Sequence, residues 1–263
     1  MSATDKLNEF LAAGVSEITQ DEPRNFLASK KPETAPIAPD SKSETNKNLP
    51  ANLAVKLPNK SALEQQVRKS LENINDLQAL EQEVKNFSGC ALKNTAQNTV
   101  FADGVATSEI LLIGEAPGAS EDEQGIPFCG ISGKLLDDIF RAIGHKRSEN
   151  LYITNSVFWR PPGNRRPTDE EIALCRPFVE KHIALKKPKL IVLVGSTALA
   201  SLLPHITATI SKIRGSFLKY DNPYLEQEID ITAIFHPSYL LRQPAKKQVM
   251  WQDMVKIKQF LNN

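Results

Sequence analysis

The sequence has few cysteines, few aromatic residues and almost no excess of charge of either sign. Its 263 residues contain only three cysteines, so we expect no disulfide framework and a reducing, cytoplasmic location. No apolar run is long enough to span a membrane. The first ten residues lack the basic and apolar regions of a secretory signal. The four histidines show no metal-ligand spacing, and the composition thus argues against secreted, membrane and zinc-finger proteins.

The net charge of +1 gives no sign of a nucleic-acid partner by itself. The basic residues are unevenly spread, however, and form clusters at 160–167, 181–189 and 245–247. A local basic patch is sufficient to steer a polyanion, so DNA stays a candidate partner.

The first sixty residues differ in composition from the rest of the chain. Residues 3–13 have the pattern of a short amphipathic helix, and residues 31–60 lack aromatics and are rich in Pro, Ser, Asn, Lys and Thr. Such a segment cannot bury enough apolar surface to offset chain entropy, which indicates a flexible linker. We therefore predict an N-terminal helix and linker over 1–60 and a folded domain over 61–263. The extension could tether the domain to a replication or repair partner.

Strand and helix patterns alternate along the predicted domain. The strands are predicted at 99–101, 109–113, 151–154, 190–194 and 229–235, and the helices at 61–87, 135–144, 168–185, 196–203 and 249–261. Ser61 has the spacing of a capping box with Glu64, and Thr168 or Asp169 is the candidate cap of the helix at 168–185. Apolar strands without polar alternation indicate a mostly parallel sheet covered on both faces. The predicted fold class is α/β, a three-layer α/β/α sandwich.

The stretch from Leu111 to Leu136 joins a buried strand, a glycine-rich loop and a helix. This arrangement presents backbone N–H groups to an anion. The loop also carries Glu115 and the acidic run 121–123, which would repel phosphates, and it lacks G-x-x-x-x-G-K-[ST]. A nucleotide-binding enzyme is therefore disfavoured. Carboxylates, loop backbone and the aromatic Phe128 suit a flat polar ring better.

Several motifs resemble those of the family 4 uracil-DNA glycosylases, in the family's order and with close to its spacing. They cover about the last two thirds of the chain and read GEAPGASEDEQGIPFCGISGKLL (114–136), YITNSVFWRPPGNRRP (152–167), EEIALC (170–175), KPKLIVLVGSTA (187–198) and HPSYLLR (236–242). The resemblance implies a uracil-DNA glycosylase-like fold and a base-excision repair enzyme. Such an enzyme hydrolyses the N-glycosidic bond of uracil in DNA and leaves an abasic site.

The resemblance implies a role for three residues that follow predicted strands or lie in the first motif. Phe128 would stack on the flipped base, and the Asn155 amide would read the O4/N3 edge of uracil. An N–H of His236 near O2 would stabilise the departing anion. The loops that carry them can converge, because ligands of such sheets bind beyond the carboxyl ends of the strands.

Other roles follow from the same motifs. Glu115 and Asn164, with His236, are the candidate catalytic residues. Glu121 and Ala116 are expected beside the substrate, Glu121 to support the positive sugar or position water. The expected DNA contacts are Arg160, Arg165, Arg166, Ser238, Leu240, Leu241 and Arg242. The two leucines would form a wedge that fills the space left by the flipped base.

The chain departs from the family at its iron–sulfur ligands. Family 4 members hold a [4Fe–4S] cluster with four cysteines. Phe87 and Trp159 stand at two of these positions, and only Cys90 and Cys175 remain. We therefore expect no cluster, no other metal or cofactor, and an apolar plug of these four side chains. Cys129 belongs to the first motif and is not an expected ligand.

The partner expected from these motifs is uracil-containing DNA, bound by a monomer away from any membrane. The alternative is a non-catalytic DNA-binding or polymerase-associated module on the same fold, with a degenerate site. The presence of Phe128, Asn155 and His236 favours the enzyme.

Overall fold

A computed structural model describes residues 60–262 of the chain. The predicted helix at 3–13, the predicted linker up to residue 59 and the side chain of Ser61 lie outside the described residues. Between residues 60 and 262, no helix has the length and apolar character needed to cross a membrane.

A six-stranded sheet forms the centre of the described part of the chain. Its strands are β1 (Ala102–Gly104), β2 (Ile110–Gly114), β3 (Tyr152–Asn155), β4 (Leu190–Val194), β5 (Leu218–Tyr220) and β6 (Ile229–Ile234). The spatial order is β1-β3-β2-β4-β6-β5, with the four inner strands parallel and the two edge strands antiparallel. The mostly parallel sheet is confirmed.

Helices cover both faces of this sheet. They are α1 (Lys60–Ser70), α2 (Leu77–Asn86), α3 (Ala119–Gln124), α4 (Ile131–Arg141), α5 (Asp169–Lys186), α6 (Ser196–Leu202), α7 (Ile210–Ile213), α8 (Pro237–Arg242) and α9 (Lys247–Leu261). One core cluster joins one face of the sheet to α1, α2, α5 and α6, and a second joins the other face to α4, α8 and α9.

Strand β2 shows why both faces must be covered. Its sequence ILLIG is apolar at four successive positions, and all five of its residues are buried. Leu111 and Ile113 enter the first core cluster, while Ile110 and Leu112 enter the second. Successive side chains of a strand point to opposite faces, so such a run is stable only between two helical layers. The three-layer α/β/α sandwich is thus confirmed.

Two predicted elements differ from the structure. The helix predicted over 61–87 is two helices, because the side chain of Asp76 accepts a hydrogen bond from the backbone N–H of Ala79 at 2.8 Å and begins α2. The strand predicted at 99–101 is also wrong. Val100 donates one backbone hydrogen bond to Phe158, and ladder pairing with β3 begins only at Ala102.

The cap of α5 agrees with its prediction. The Thr168 hydroxyl accepts from the backbone N–H of Glu171 at 3.2 Å, and the Glu171 carboxylate accepts from the backbone N–H of Thr168 at 2.8 Å. This capping box fixes the start of α5. The short elements α3, α7, α8 and β5 were not predicted, and α3 and α8 both border the site described next.

Candidate active site

A cleft of about 900 Å³ opens at the carboxyl ends of β2, β3, β4 and β6. Its lining includes Glu115, Ala116, Gly118, Glu121, Phe128, Gly130, Ile131, Asn155, Asn164, Arg165, Gly195, Ser196, Ile210, Ser211, His236, Ser238, Tyr239 and Arg242. The four inner strands are parallel, so the loops that follow them meet at one edge of the sheet. This common edge positions the site.

Phe128 lies in the loop between α3 and α4 and forms one wall of the cleft. Its backbone φ is +53°, a left-handed conformation that is uncommon for a residue with a side chain. The residue is only 7% exposed, and its ring lies directly against Gly114 at the end of β2. The aromatic ring is therefore held in a fixed place at the sheet edge.

Asn155 ends β3, next to Gly114 in the adjacent strand β2. A Cβ on Gly114 would lie 2.4 Å from Asn155 Oδ1 and 2.5 Å from two ring carbons of Phe128, so only glycine fits between them. Although Asn155 is 2% exposed, its amide makes no side-chain hydrogen bond to another residue in the 60–262 range. A buried amide normally has partners, so this amide is available to a ligand in the cleft.

His236 follows β6 and is the N-terminal cap of α8. Its Nδ1 accepts a hydrogen bond from the backbone N–H of Ser238 at 3.2 Å and lies 2.8 Å from Ser238 Oγ. A backbone N–H can only donate, so Nδ1 is the acceptor and Nε2 carries the proton. Gly195, at φ +98°, allows the close approach of β4's loop, since a Cβ there would lie 3.0 Å from His236 Cβ.

The imidazole of His236 is neutral near pH 7. Burial, and secondly the positive charge of Arg242, lower its pKa to about 4, while Glu121 acts weakly in the opposite direction. The ring thus offers a neutral N–H donor to the cleft. Such a donor suits an oxygen that gains negative charge during a reaction.

The structure brings the three predicted base contacts together. The ring centroids of Phe128 and His236 are 5.8 Å apart, with an interplanar angle of 32°. Asn155 touches the same glycine as Phe128. An aromatic face, a buried amide and an imidazole N–H around one space can hold a flat heterocycle by stacking and by hydrogen bonds at two edges.

The acidic residues of the first motif divide into two groups. Glu115 is half-buried, lines the cleft beside Ala116, and its carboxylate makes no hydrogen bond within the described chain. Glu121 also lines the cleft, and its carboxylate accepts from the backbone N–H groups of Gly118 at 3.1 Å and Gly130 at 2.9 Å. Glu121 thus ties the motif loop together, and its expected role beside the sugar or a water stays a prediction.

The loop over 160–167 forms one edge of the cleft. Asn164 lies in a short turn and accepts from Arg160 Nε at 2.7 Å. Arg165 is bound by both oxygens of Glu171, at 2.6 and 2.8 Å, so its guanidinium is already paired. Arg166 is exposed. These residues are accessible to a DNA backbone, and their contacts with phosphate stay a prediction.

The predicted wedge is half wrong. Leu240 is fully buried in the second core cluster and cannot enter DNA, because α8 turns its side chain towards the sheet. Leu241 is 42% exposed, and Arg242, next to it, lines the cleft. Of the two leucines, only Leu241 is placed to contact DNA. Ser238 also lines the cleft, but its contacts are with His236.

Sequence reasoning missed a fourth loop of the cleft. Gly195 and Ser196 follow β4, and Tyr239 and Ile131 border the same space. The available signal lay in the motif KPKLIVLVGSTA, where Gly195 and Ser196 directly follow a buried strand. Ile131, the first residue of α4, is 75% exposed. An apolar residue at a helix start is normally expected to be buried, so the sequence pattern did not place Ile131 at the cleft.

The four side chains at the expected cluster positions pack in one apolar core. Cys90 and Cys175 are fully buried, and the neighbouring Cys90 thiol together with burial raises the pKa of the Cys175 thiol. The rings of Phe87 and Trp159 stack with centroids 6.3 Å apart. In the described part of the chain, no group of three or more His, Cys, Asp or Glu side chains could hold a metal ion.

Comparison with known proteins gives a consistent result. Residues 101–255 match the family model described as the uracil DNA glycosylase superfamily. The Type-4 uracil-DNA glycosylase of Thermotoga maritima is 35% identical over 187 residues, which are 70% of this chain and 94% of that protein. The Type-4 uracil-DNA glycosylase of Sulfurisphaera tokodaii is 33% identical over 189 residues, 71% of this chain and 85% of that protein. The Type-4 uracil-DNA glycosylase of Pyrobaculum aerophilum is 34% identical over 182 residues, which are 68% of this chain and 91% of that protein.

Proposed function

This chain belongs to the uracil-DNA glycosylase superfamily and to its type-4 group, and on that premise we propose how its cleft excises uracil. The protein is a uracil-DNA glycosylase of DNA base-excision repair. It hydrolyses the N-glycosidic bond between uracil and deoxyribose. The non-catalytic DNA-binding or polymerase-associated module is not favoured, because the type-4 relatives are named as enzymes.

One observation supports the assignment of the site most strongly. Phe128, in the loop before α4, Asn155, at the end of β3, and His236, at the start of α8, surround one space at the sheet edge. We propose that this space holds the flipped uracil. Phe128 stacks on its face, and the Asn155 amide pairs with the O4/N3 edge. Cytosine presents the reverse donor and acceptor at that edge and is rejected.

His236 acts on the departing base. When the bond between C1′ and N1 breaks, its electron pair goes to uracil, and negative charge develops on O2. The neutral Nε2–H of His236 donates to that oxygen, and the Ser238 N–H keeps the ring in this tautomer. A donor fixed before the reaction needs no reorganisation in the transition state.

Water completes the hydrolysis at the sugar. Its oxygen bonds to C1′ and its proton is released, with Glu115 and Asn164 as the groups we propose to position it. The Glu115 carboxylate is the better placed of the two, because Asn164 Oδ1 already accepts from Arg160. A carboxylate at this position also stabilises the oxocarbenium character of the sugar.

We propose that this enzyme holds no iron–sulfur cluster. The whole chain has three cysteines, one fewer than the four thiolates that such a cluster takes. Phe87 and Trp159 fill the two other ligand positions with apolar rings that stack in the core. Iron analysis of protein from iron-supplemented cells tests this. We expect excision activity with far less than one iron per chain, whereas about four irons per chain would overturn the proposal.

The remaining assignments are also proposals. The enzyme acts as a monomer on uracil-containing DNA, with Arg160, Arg165, Arg166, Leu241 and Arg242 contacting the strand. Because DNA is the substrate, we place its action in the cytoplasm. We propose that residues 1–60 tether the catalytic domain of 61–263 to a repair or replication partner. Deleting 1–60 should leave excision intact and remove that partner.

The functional test is cleavage of a uracil-containing oligonucleotide, developed with alkali and resolved on a gel. The wild type should release uracil. Asn155→Asp should discriminate less between uracil and cytosine, because a carboxylate accepts from the cytosine amine and cannot donate to O4. His236→Ala should slow excision while the protein stays folded. Asn73→Asp and His205→Ala, which make the same chemical changes at exposed positions, serve as controls. Equal turnover in the wild type and both cleft variants would refute the assigned roles.

A further inference from the structure

We propose that Arg147 is a positioning residue for uracil excision, which acts by holding Phe128 in its stacking conformation. This inference rests on the proposed role of Phe128 at the flipped base. Arg147 lies between α4 and β3, outside the cleft, and nothing in its sequence surroundings marks it as functional.

All five N–H donors of the Arg147 guanidinium are used. Nη1 donates to the backbone carbonyl of Pro127 at 2.6 Å, and Nη2 donates to that of Phe128 at 2.8 Å. Nη1 also donates to Asp103 at 2.9 Å, and Nε and Nη2 donate to Asp137 at 3.3 and 3.2 Å. A fully satisfied, planar guanidinium has one orientation. Arg147 therefore ties the loop of Phe128 to strand β1, through Asp103, and to helix α4, through Asp137.

The loop needs such support because its conformation is strained. Phe128 has φ +53°, and an isolated residue in the left-handed region costs about 1 kcal/mol or more. Glu121 holds the far side of the loop through Gly130 N–H. Gly133 permits the close packing of α4, since a Cβ there would lie 1.7 Å from the Phe128 carbonyl oxygen. Arg147 bonds to the two carbonyls that set the Phe128 backbone.

The consequence for the cleft is direct. If the Pro127 and Phe128 carbonyls lose their donor, the Phe128 backbone can relax out of the left-handed region and the ring leaves its place against Gly114. Misplacement of a binding group by about 1 Å can cost on the order of 100-fold in rate. Lysine cannot replace Arg147, because its ammonium group has only three N–H donors and lacks the planar geometry of a guanidinium. It therefore cannot bond at once to the two loop carbonyls and the two carboxylates.

A double-mutant cycle distinguishes positioning from general destabilisation. Single-turnover excision of uracil from single-stranded DNA is measured for the wild type, Arg147→Lys, Phe128→Ala and the double variant. We expect Arg147→Lys to slow excision about 10- to 100-fold in the wild type and less than about 3-fold in the Phe128→Ala background. Multiplicative, independent effects would overturn the inference, because a purely structural role would act equally in both backgrounds.

Controls separate the possible failures. Arg141→Ala removes a more exposed arginine whose partner is Asp138, and it should leave excision unchanged. If Arg147→Lys does not fold, Asp137→Asn, which removes the carboxylate that orients the guanidinium, replaces it in the same cycle. An unchanged rate in Phe128→Ala alone would refute the stacking role of Phe128, whereas a slow Phe128→Ala with an additive cycle would refute only the role of Arg147.

Discussion

Gly114→Ala adds a single methyl group and should remove most of the excision activity. The new Cβ would lie 2.4 Å from Asn155 Oδ1 and 2.5 Å from two carbons of the Phe128 ring. Ordinary contacts are about 3.5 Å or more, so the amide and the ring must each move by about 1 Å. A displacement of that size in groups that bind the base should slow excision by about 100-fold. The overpacked site should lose about 1–3 kcal/mol in unfolding free energy.

The assay is single-turnover release of uracil with enzyme in excess, measured beside thermal unfolding. Gly144→Ala is the matched control. Gly144 has φ +94°, so alanine should also destabilise the fold, but a Cβ there meets nothing within 4 Å and Gly144 does not line the cleft. We expect both variants to melt earlier and only Gly114→Ala to lose activity. A Gly114→Ala rate within about 3-fold of the wild type would refute the packing argument.

Three further predictions concern protonation and the wedge. The His236 pKa of about 4 predicts an excision rate without a histidine inflection between pH 5.5 and 8; an inflection near pH 6.5 that disappears in His236→Ala would contradict it. Burial, and then the charge of Lys186, lower the pKa of His182 to about 3, so the unfolded chain binds a proton that the native state does not. Unfolding free energy from urea titrations should therefore fall as the pH drops below about 6.5, by about 1.4 kcal/mol per pH unit for this residue, and His182→Phe should flatten the slope; equal slopes would contradict it. Leu241→Ala should slow excision more in duplex than in single-stranded DNA, whereas Leu240→Ala should cost about 2–5 kcal/mol of stability by calorimetry; the reverse pattern would restore Leu240 as the wedge.

The fold was predictable because burial on both faces leaves a strong pattern. The run ILLIG at β2 and the run LIVLV at β4 are apolar without alternation, and strands of this kind fit only between two helical layers. The break after α1 was missed, because residues 71–76 contain no Gly or Pro and the capping role of Asp76 depends on where the preceding turn ends.

The cleft residues that lie at the ends of strands, or in a recognisable motif, were predictable from the sequence. Asn155 and His236 directly follow predicted strands, and Phe128 belongs to a recognisable motif. Leu240 was misjudged for a different reason, because which of two adjacent leucines faces the core depends on the orientation of α8. The hydrogen bonds of Glu121 to the amides of Gly118 and Gly130 likewise depend on the folded loop. Arg147 was not found, because two of its partners are backbone carbonyls, which carry no sequence signal, and only the fold brings Asp103 and Asp137 to it.

The most direct test of the site is a crystal structure of the wild-type enzyme with uracil and abasic DNA, the two products. We predict the uracil ring stacked on Phe128, its O4/N3 edge at the Asn155 amide and its O2 within hydrogen-bond distance of His236 Nε2. Uracil bound elsewhere in the protein, or bound in the cleft without contact to these three side chains, would contradict the account.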